Sequence, residues 1–247
     1  MAKVAIIGGT GLTHIDGLEI VSREIIQTPY GEPSGPLVKG VLSEKTVYFL
    51  PRHGAGHTIP PHKINYRANI WALKEVGITN VIAVNAVGGI SDEMQAGVIA
   101  IPDQIIDYTW SRINTFFEDS LKNVVHIDFS YPFSEALREQ IINSAKKNQI
   151  AIVSKGTYAA TQGPRLESIA EIKRLENDGC HIVGMTCMPE AALAREKELN
   201  YASISVVANL AAGKGDGELT MEMIEKNLSS GMARVRALLQ SVIVDIA

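Results

Sequence analysis

Short apolar, β-branched runs alternate with segments of helical period along the 247-residue chain, and this alternation limits the possible fold more than any other feature. Such a pattern builds an α/β layer, with a mostly parallel sheet covered by helices on both faces. The run Asn80–Ala86 is apolar at odd and even positions alike, as a central strand covered on both sides must be. Further strands are expected at Lys3–Ile7, Val98–Ile101, Gln104–Tyr108, Ile182–Met185 and Ala202–Ala208, with Leu37–Leu42 and Thr46–Leu50 paired as a hairpin. A helix is expected over Asn65–Val76, with Ile70, Leu73 and Val76 on one face and Gly77 at C′. Others are expected at Glu135–Asn148, at Ser168–Asp178 ahead of Gly179, from Pro189 to Leu199, and from an N-cap at Thr220 to about Val244. No repeat, low-complexity stretch or charge block marks a linker. The expectation is therefore one α/β domain over residues 1–247, with a central mixed, mostly parallel sheet flanked by helices. Chemistry in such a domain belongs on loops at the carboxyl ends of strands.

Composition removes several classes of function. With 46% hydrophobic residues and 27 acids nearly balancing 23 bases, intrinsic disorder is excluded. A net charge of −4 without a basic stripe argues against a nucleic-acid partner. No apolar run approaches the ~20 residues that span a bilayer, so no membrane partner is expected. The longest uncharged stretch, Val76–Ser91, is interrupted by Asn80, Asn85, Gly88 and Gly89. No secretion signal is legible at the N-terminus. Cys180 and Cys187 are too few for a disulfide framework, and a reducing cytoplasm is expected.

Six strand-end segments carry polar residues suited to a ligand. Gly8-Gly9-Thr10-Gly11 follows the first strand and is either an anion-binding loop or a tight strand exit. It fits neither the dinucleotide spacing, since His14 stands where the last glycine belongs, nor the Walker pattern. Arg52-His53-Gly54 is suited to bidentate anion contacts or to a surface salt bridge. His57 and His62 lie nearby, but without an acidic residue or cysteine no metal site is expected. Asn85-Ala86-Val87-Gly88-Gly89 ends the most buried strand, as ligand contacts or a plain turn. Thr161–Glu167 puts a carboxylate just before a helix, where it either meets a ligand or favours the helix N-terminus. In Gly184–Glu190, Met185 is suited to pack on a sugar, and Thr186 and Glu190 to bind hydroxyl or phosphate groups; core packing and a first-turn Glu are the alternatives. Asn209 is the first polar residue after Ser205–Ala208. There is no Gly-x-Ser-x-Gly elbow, Cys-x-x-Cys or His-Glu-x-x-His.

Together, Ile6–Gly11, Arg52–Gly54, Asn65–Lys74 and Gly184–Glu190 resemble the trimeric purine nucleoside phosphorylase and methylthioadenosine phosphorylase family, over Val4 to about Leu239. The resemblance implies phosphorolysis: a purine nucleoside and phosphate give the free base and a pentose 1-phosphate, with no cofactor beyond the phosphate co-substrate. It assigns Thr10, Arg52, His53, Asn85, Ala86 and Thr186 to phosphate, and Met185 to the ribose. Leu166, Glu167 and Asn209 fall at the base, with Ala211 beside them. Met221 and Ile224 fall around the 5′ substituent. It also implies a homotrimer in which His126 reaches a neighbouring subunit's pocket. Asn209, Thr186 and His53 are the residues it implicates in catalysis.

Departures within the family concern the substrate. Methylthioadenosine phosphorylases resembling this chain carry two Asp at the positions of Asn209 and Ala211, and a small hydroxyl residue at that of Glu167. The 6-oxopurine phosphorylases carry the Glu and Asn found here. A carboxylate accepts the N1–H of hypoxanthine, whereas adenine offers it a lone pair. Leaving such groups unpaired in a buried pocket costs on the order of 1–3 kcal/mol each. No histidine follows His181, and Met221 and Ile224 make the 5′ side apolar, which favours a methylthio group over a hydroxyl. The combination resembles the S-methyl-5′-thioinosine phosphorylases. A broader inosine and guanosine phosphorylase, a methylthioadenosine phosphorylase, a dinucleotide-binding reductase and a binding module without turnover are the alternatives.

Overall fold

The structure, a computed structural model, describes residues 3–9, 12, 15–119, 121–215 and 221–246; over 221–230 it describes the helix path and the side chain of Asn227. Four strands come first: β1 (Val4–Gly8), β2 (Glu19–Glu24), β3 (Leu37–Leu42) and β4 (Lys45–Pro51). Helix α1 (Tyr66–Glu75) leads into the long strand β5 (Asn80–Gly89), followed by β6 (Ile99–Ala100) and β7 (Gln104–Asp107). After α2 (Glu135–Lys147) come β8 (Thr157–Ala160), α3 (Ile169–Asn177), β9 (Ile182–Gly184), α4 (Cys187–Glu196), β10 (Asn200–Leu210) and α5 (Met221–Asp245).

The strands form one mixed ten-stranded sheet, in the order β2-β3-β4-β1-β5-β9-β8-β7, with β10 paired to β5 and β6. Pairing is parallel through β4, β1, β5 and β10, and again through β7, β8 and β9. It is antiparallel in β2-β3-β4, β5-β9 and β6-β10. One edge of β5 is taken by β10 along its whole length. The other edge is shared: β1 occupies it over Asn80–Ala83, and β9 only at Gly88–Gly89. The sheet therefore parts at Val84–Val87. A ligand site in an open α/β sheet sits at such a topological switch.

Alternation along the central strands explains the two-sided apolar pattern. Val81, Ala83 and Val87 join Ile70 and Leu73 of α1 and Ala191 and Leu193 of α4 in one core layer. Ile82 and Val84 face the other layer, with Leu137 and Ile141 of α2 and Val235, Leu238 and Val242 of α5. Sequence and structure agree closely at the helix starts. Asn65 caps α1 by accepting from Ala68 N at 3.1 Å, and Ser168 with Glu171 forms a reciprocal capping box on α3. Gly77, at φ +79°, lets the chain turn out of α1. The α4 segment starts at Cys187, but Met188 is non-helical (φ −115°, ψ 136°), so regular turns begin at Pro189 as expected. The expected N-cap Thr220 lies outside the described residues.

Two strands were not foreseen. β2 is an exposed edge strand whose charged Glu19, Arg23 and Glu24 hide any alternation. β8 is four residues long and too short to show a period. Among the described residues no helix is long and apolar enough to cross a membrane.

Candidate active site

The parted edge of β5 is lined on one side by the residue just past β4. Arg52 N donates to Gly8 O at 3.0 Å, which fixes the β4 exit beside the end of β1. Arg52 is 2% exposed, and its side chain forms a two-pronged ion pair with Glu190, Nε to Oε2 and Nη2 to Oε1 both at 2.8 Å. Its Nη1 donates to Val84 O at 3.0 Å and its Nη2 to Ile7 O at 3.4 Å. Burial works against the charge, but Glu190 outweighs it and holds the guanidinium above its ordinary range. Tyr201 also donates to Glu190 Oε1, at 2.8 Å. This arrangement corrects two expectations. The bidentate face of Arg52 is spent on Glu190 and not on an anion, and Glu190 is not free to bind a hydroxyl or phosphate. Of the five guanidinium N–H groups, one Nη1 hydrogen remains without a partner among the described residues.

Next to this pair runs a buried polar chain. Thr186 Oγ1 donates to Asn85 Oδ1 at 2.9 Å, and Asn85 Nδ2 donates to Ser203 Oγ at 2.8 Å. Ser203 in turn shares a 2.9 Å hydrogen bond with Ser205. These bonds orient the Asn85 amide at the point where β5 loses its partner strand. Ala86, the next residue, is exposed. Cys187 lies against Asn85, and burial pushes its thiol up to about 12, so it is no nucleophile at neutral pH. His53 Nδ1 donates to Ile59 O at 2.8 Å. Burial, together with the charges of Arg52 and His57, lowers the His53 pKa against the pull of that hydrogen bond. A neutral ring with its proton on Nδ1 presents a lone pair at Nε2. Thr10 lies outside the described residues.

The opposite wall of the opening comes from the ends of β8, β9 and β10. Thr161, just past β8, donates its N–H to Gly184 O at 2.8 Å and its hydroxyl to Glu167 Oε1 at 2.7 Å. Glu167 is thus tethered by one carboxylate oxygen. Gly163, at φ +61°, lies against Met185; a Cβ there would stand 2.4 Å from Met185 Sδ. Met185 and Glu167 are half-buried, and Leu166 is 55% exposed. Ala211 is buried in a small cluster with Ile90 and Val183. Asn209 sits where the β10–β5 register shifts, directly opposite Gly88. A shift of this kind re-aims a side chain without ending the strand. Asn209 Nδ2 gives one hydrogen to Leu210 O at 2.8 Å, and the other has no partner among the described residues. Met221 and Ile224 fall in the first turns of α5, with side chains outside the described residues. Asn227 ties that helix to Ala208 O at 3.0 Å. His126 is exposed in the segment between β7 and α2, and no hydrogen bond ties it to these loops among the described residues.

Four residues of this opening were not singled out for a role from the sequence. Ser203 and Ser205 had a signal, two polar residues at period two inside an apolar strand. The tethering role of Thr161 had none beyond its place in the loop. Arg112 had none at all, in a stretch without period. It donates to Met185 O and Met188 O at 2.7 and 2.6 Å, and to Thr161 O and Gln162 O at 3.1 and 2.7 Å.

A family model described as the phosphorylase superfamily matches residues 3–244. The chain belongs to this superfamily. Among its superfamily relatives, a probable S-methyl-5′-thioinosine phosphorylase of Pseudomonas syringae pv. tomato is 54% identical over 243 residues, 98% of this chain and 99% of that protein. A 6-oxopurine nucleoside phosphorylase of Pyrococcus furiosus is 45% identical over 91% of this chain and 86% of its own. The fold matches methylthioadenosine phosphorylase from Schistosoma mansoni in complex with adenine, with a TM-score of 0.93 at 34% identity over 99% of this chain and 91% of that one.

Proposed function

We propose that this chain is a purine nucleoside phosphorylase acting on S-methyl-5′-thioinosine. An oxygen of hydrogen phosphate forms a bond to C1′ as the C1′–N9 bond breaks, and the phosphate proton ends on the departing purine, giving hypoxanthine and 5-methylthioribose 1-phosphate. The observation that carries this reading is the carboxylate of Glu167, tethered through one oxygen by Thr161, together with Asn209 at the register shift of β10. One Glu167 oxygen is held by Thr161, and the other accepts the N1–H of a 6-oxopurine. The unspent Asn209 hydrogen donates to N7, where charge accumulates as the base leaves. Such a bond accelerates the reaction insofar as it strengthens in the transition state. The names of the sequence relatives, S-methyl-5′-thioinosine and 6-oxopurine nucleoside phosphorylases, support the same purine class.

In this reading phosphate is held by the spare Arg52 hydrogen, the Thr186 hydroxyl after it turns from Asn85, the Thr10 loop and the backbone at Ala86. Neutral His53 accepts a hydrogen bond at Nε2 from the hydroxyl of hydrogen phosphate. Met185 packs on the ribose, Leu166 borders the base, and Met221 and Ile224 surround the methylthio group. The reaction uses no cofactor. Exposed Trp110, Ile113, Val124, Val125 and Tyr131 around His126 support burial of this segment in a homotrimer. The buried free thiols of Cys180 and Cys187 suit a cytoplasmic setting. A broader 6-oxopurine specificity is the second reading, favoured by the Pyrococcus relative. The test compares kcat/KM for methylthioinosine, methylthioadenosine, inosine and guanosine with phosphate. Methylthioinosine is expected to lead. A lead for methylthioadenosine would overturn the assignment, and equal rates for inosine would favour the second reading.

A further inference from the structure

Arg112 is half-buried, without a carboxylate partner among the described residues. Its donors go instead to three separate segments. Nε reaches the Gln162 side chain at 3.1 Å, and Nη2 reaches the carbonyls of Thr161 and Gln162. Nη1 reaches the carbonyls of Met185 and Met188, and the Tyr66 hydroxyl at 3.3 Å. The guanidinium also lies over the Tyr66 ring, 5.7 Å from its centre. The first of these segments carries Glu167, the second brackets Thr186, and the third opens α1.

Thr161 is the link that matters. Its carbonyl is held by Arg112, and its hydroxyl holds Glu167 Oε1. Past Gln162 the loop runs through exposed Pro164, Arg165 and Leu166. The rigid end of the Glu167 loop is therefore the Thr161–Gln162 peptide, and Arg112 is the charged group that fixes it against Met185. Resting on the function proposed above, we propose that Arg112 is a positioning residue for purine selectivity, acting through Thr161 on the carboxylate of Glu167. It touches no substrate. It sets where the acceptor stands, and so how sharply a 6-oxopurine is told from a 6-aminopurine.

The test uses the full-length enzyme with Arg112→Met, Arg112→Lys and Thr161→Val. For each, kcat/KM is measured with methylthioinosine and with methylthioadenosine, alongside the KM for phosphate and the melting temperature. The wild-type ratio of the two kcat/KM values is expected to move towards one by about tenfold in Arg112→Met and severalfold in Thr161→Val. Arg112→Lys should restore part of it. Adding Thr161→Val to Arg112→Met should change the ratio little, because both act through the same carboxylate. A brace with only a structural role would lower both kcat/KM values by one common factor and leave the ratio at its wild-type value, which would overturn the proposal. If Arg112→Met does not fold, Thr161→Val and Arg112→Lys carry the same test. Failure of the substrate assignment is seen separately, in the wild type, as a preference for methylthioadenosine.

Discussion

The two walls of the opening are built by different means. On the side we propose for phosphate, Arg52, Asn85, Thr186 and Glu190 are buried and bonded in two pairs, Arg52 to Glu190 and Thr186 to Asn85. On the side we propose for the purine, Glu167 and Asn209 are half-buried and each held by a single hydrogen bond, and Leu166 is exposed. The first wall is part of the core, so its residues contribute to folding and to binding together. The second is attached to the core, so its residues can be changed with little cost in stability and a large one in chemistry. Under the proposed function, a site assembled in this way keeps its anion pocket fixed and carries its selectivity where the fold tolerates substitution.

The sharpest break in that contrast is Glu190→Ala. It leaves the Arg52 charge buried and unpaired, which costs about 3–5 kcal/mol. Urea unfolding should show this loss in full, before any assay is run. Retention of wild-type stability would mean that the phosphate wall is not part of the core. Asn209→Ala tests the opposite wall. It should leave the melting temperature nearly unchanged and lower kcat by about 100-fold or more, with KM much less affected, as for loss of one donor to a developing charge. A normal turnover number in this variant would remove the catalytic role. Glu167→Gln is milder. Its amide can rotate to offer a donor to adenine N1, so preference for the 6-oxopurine should shrink by about 10- to 100-fold, each mismatched polar group being worth roughly 1–3 kcal/mol. Steady-state rates with both nucleosides read this directly.

Much of this was legible in the chain because the central layers obey simple periods. β5 is apolar on both faces because α1 and α4 cover one and α2 and α5 the other. The caps at Asn65 and Ser168 follow from local hydrogen bonding and need no tertiary knowledge. The strand-end rule drew attention to Arg52, Asn85, Thr186, Glu167 and Asn209. What the sequence concealed is which of these groups satisfy one another. Arg52 and Glu190 lie 138 positions apart and Asn85 and Ser203 118 apart, and no local period reports such a pairing. An arginine at a strand end reads as an anion ligand until its carboxylate partner is located. Arg112 was invisible for the same reason: four of its six acceptors are main-chain carbonyls, which every residue supplies and no sequence distinguishes.

The smallest expected effect concerns His53, and it separates the walls by pH. Its folded pKa lies below the ordinary 6.5, chiefly because burial disfavours the imidazolium, with Arg52 and His57 adding repulsion. Between the lowered folded value and 6.5, the unfolded chain binds more protons at this residue than the folded one, so stability rises with pH across that window. The contribution is complete above 6.5 and is lost as pH falls through the folded value. His53→Gln removes the titration. The stability difference between wild type and this variant, measured by urea unfolding at stepped pH, should therefore tilt in favour of the wild type as pH rises through the window and then level off. Other groups titrate alike in both proteins and cancel in the difference. A difference that tilts the opposite way would mean that the folded protein favours the imidazolium, and that His53 meets phosphate as a donor from Nε2 and not as an acceptor.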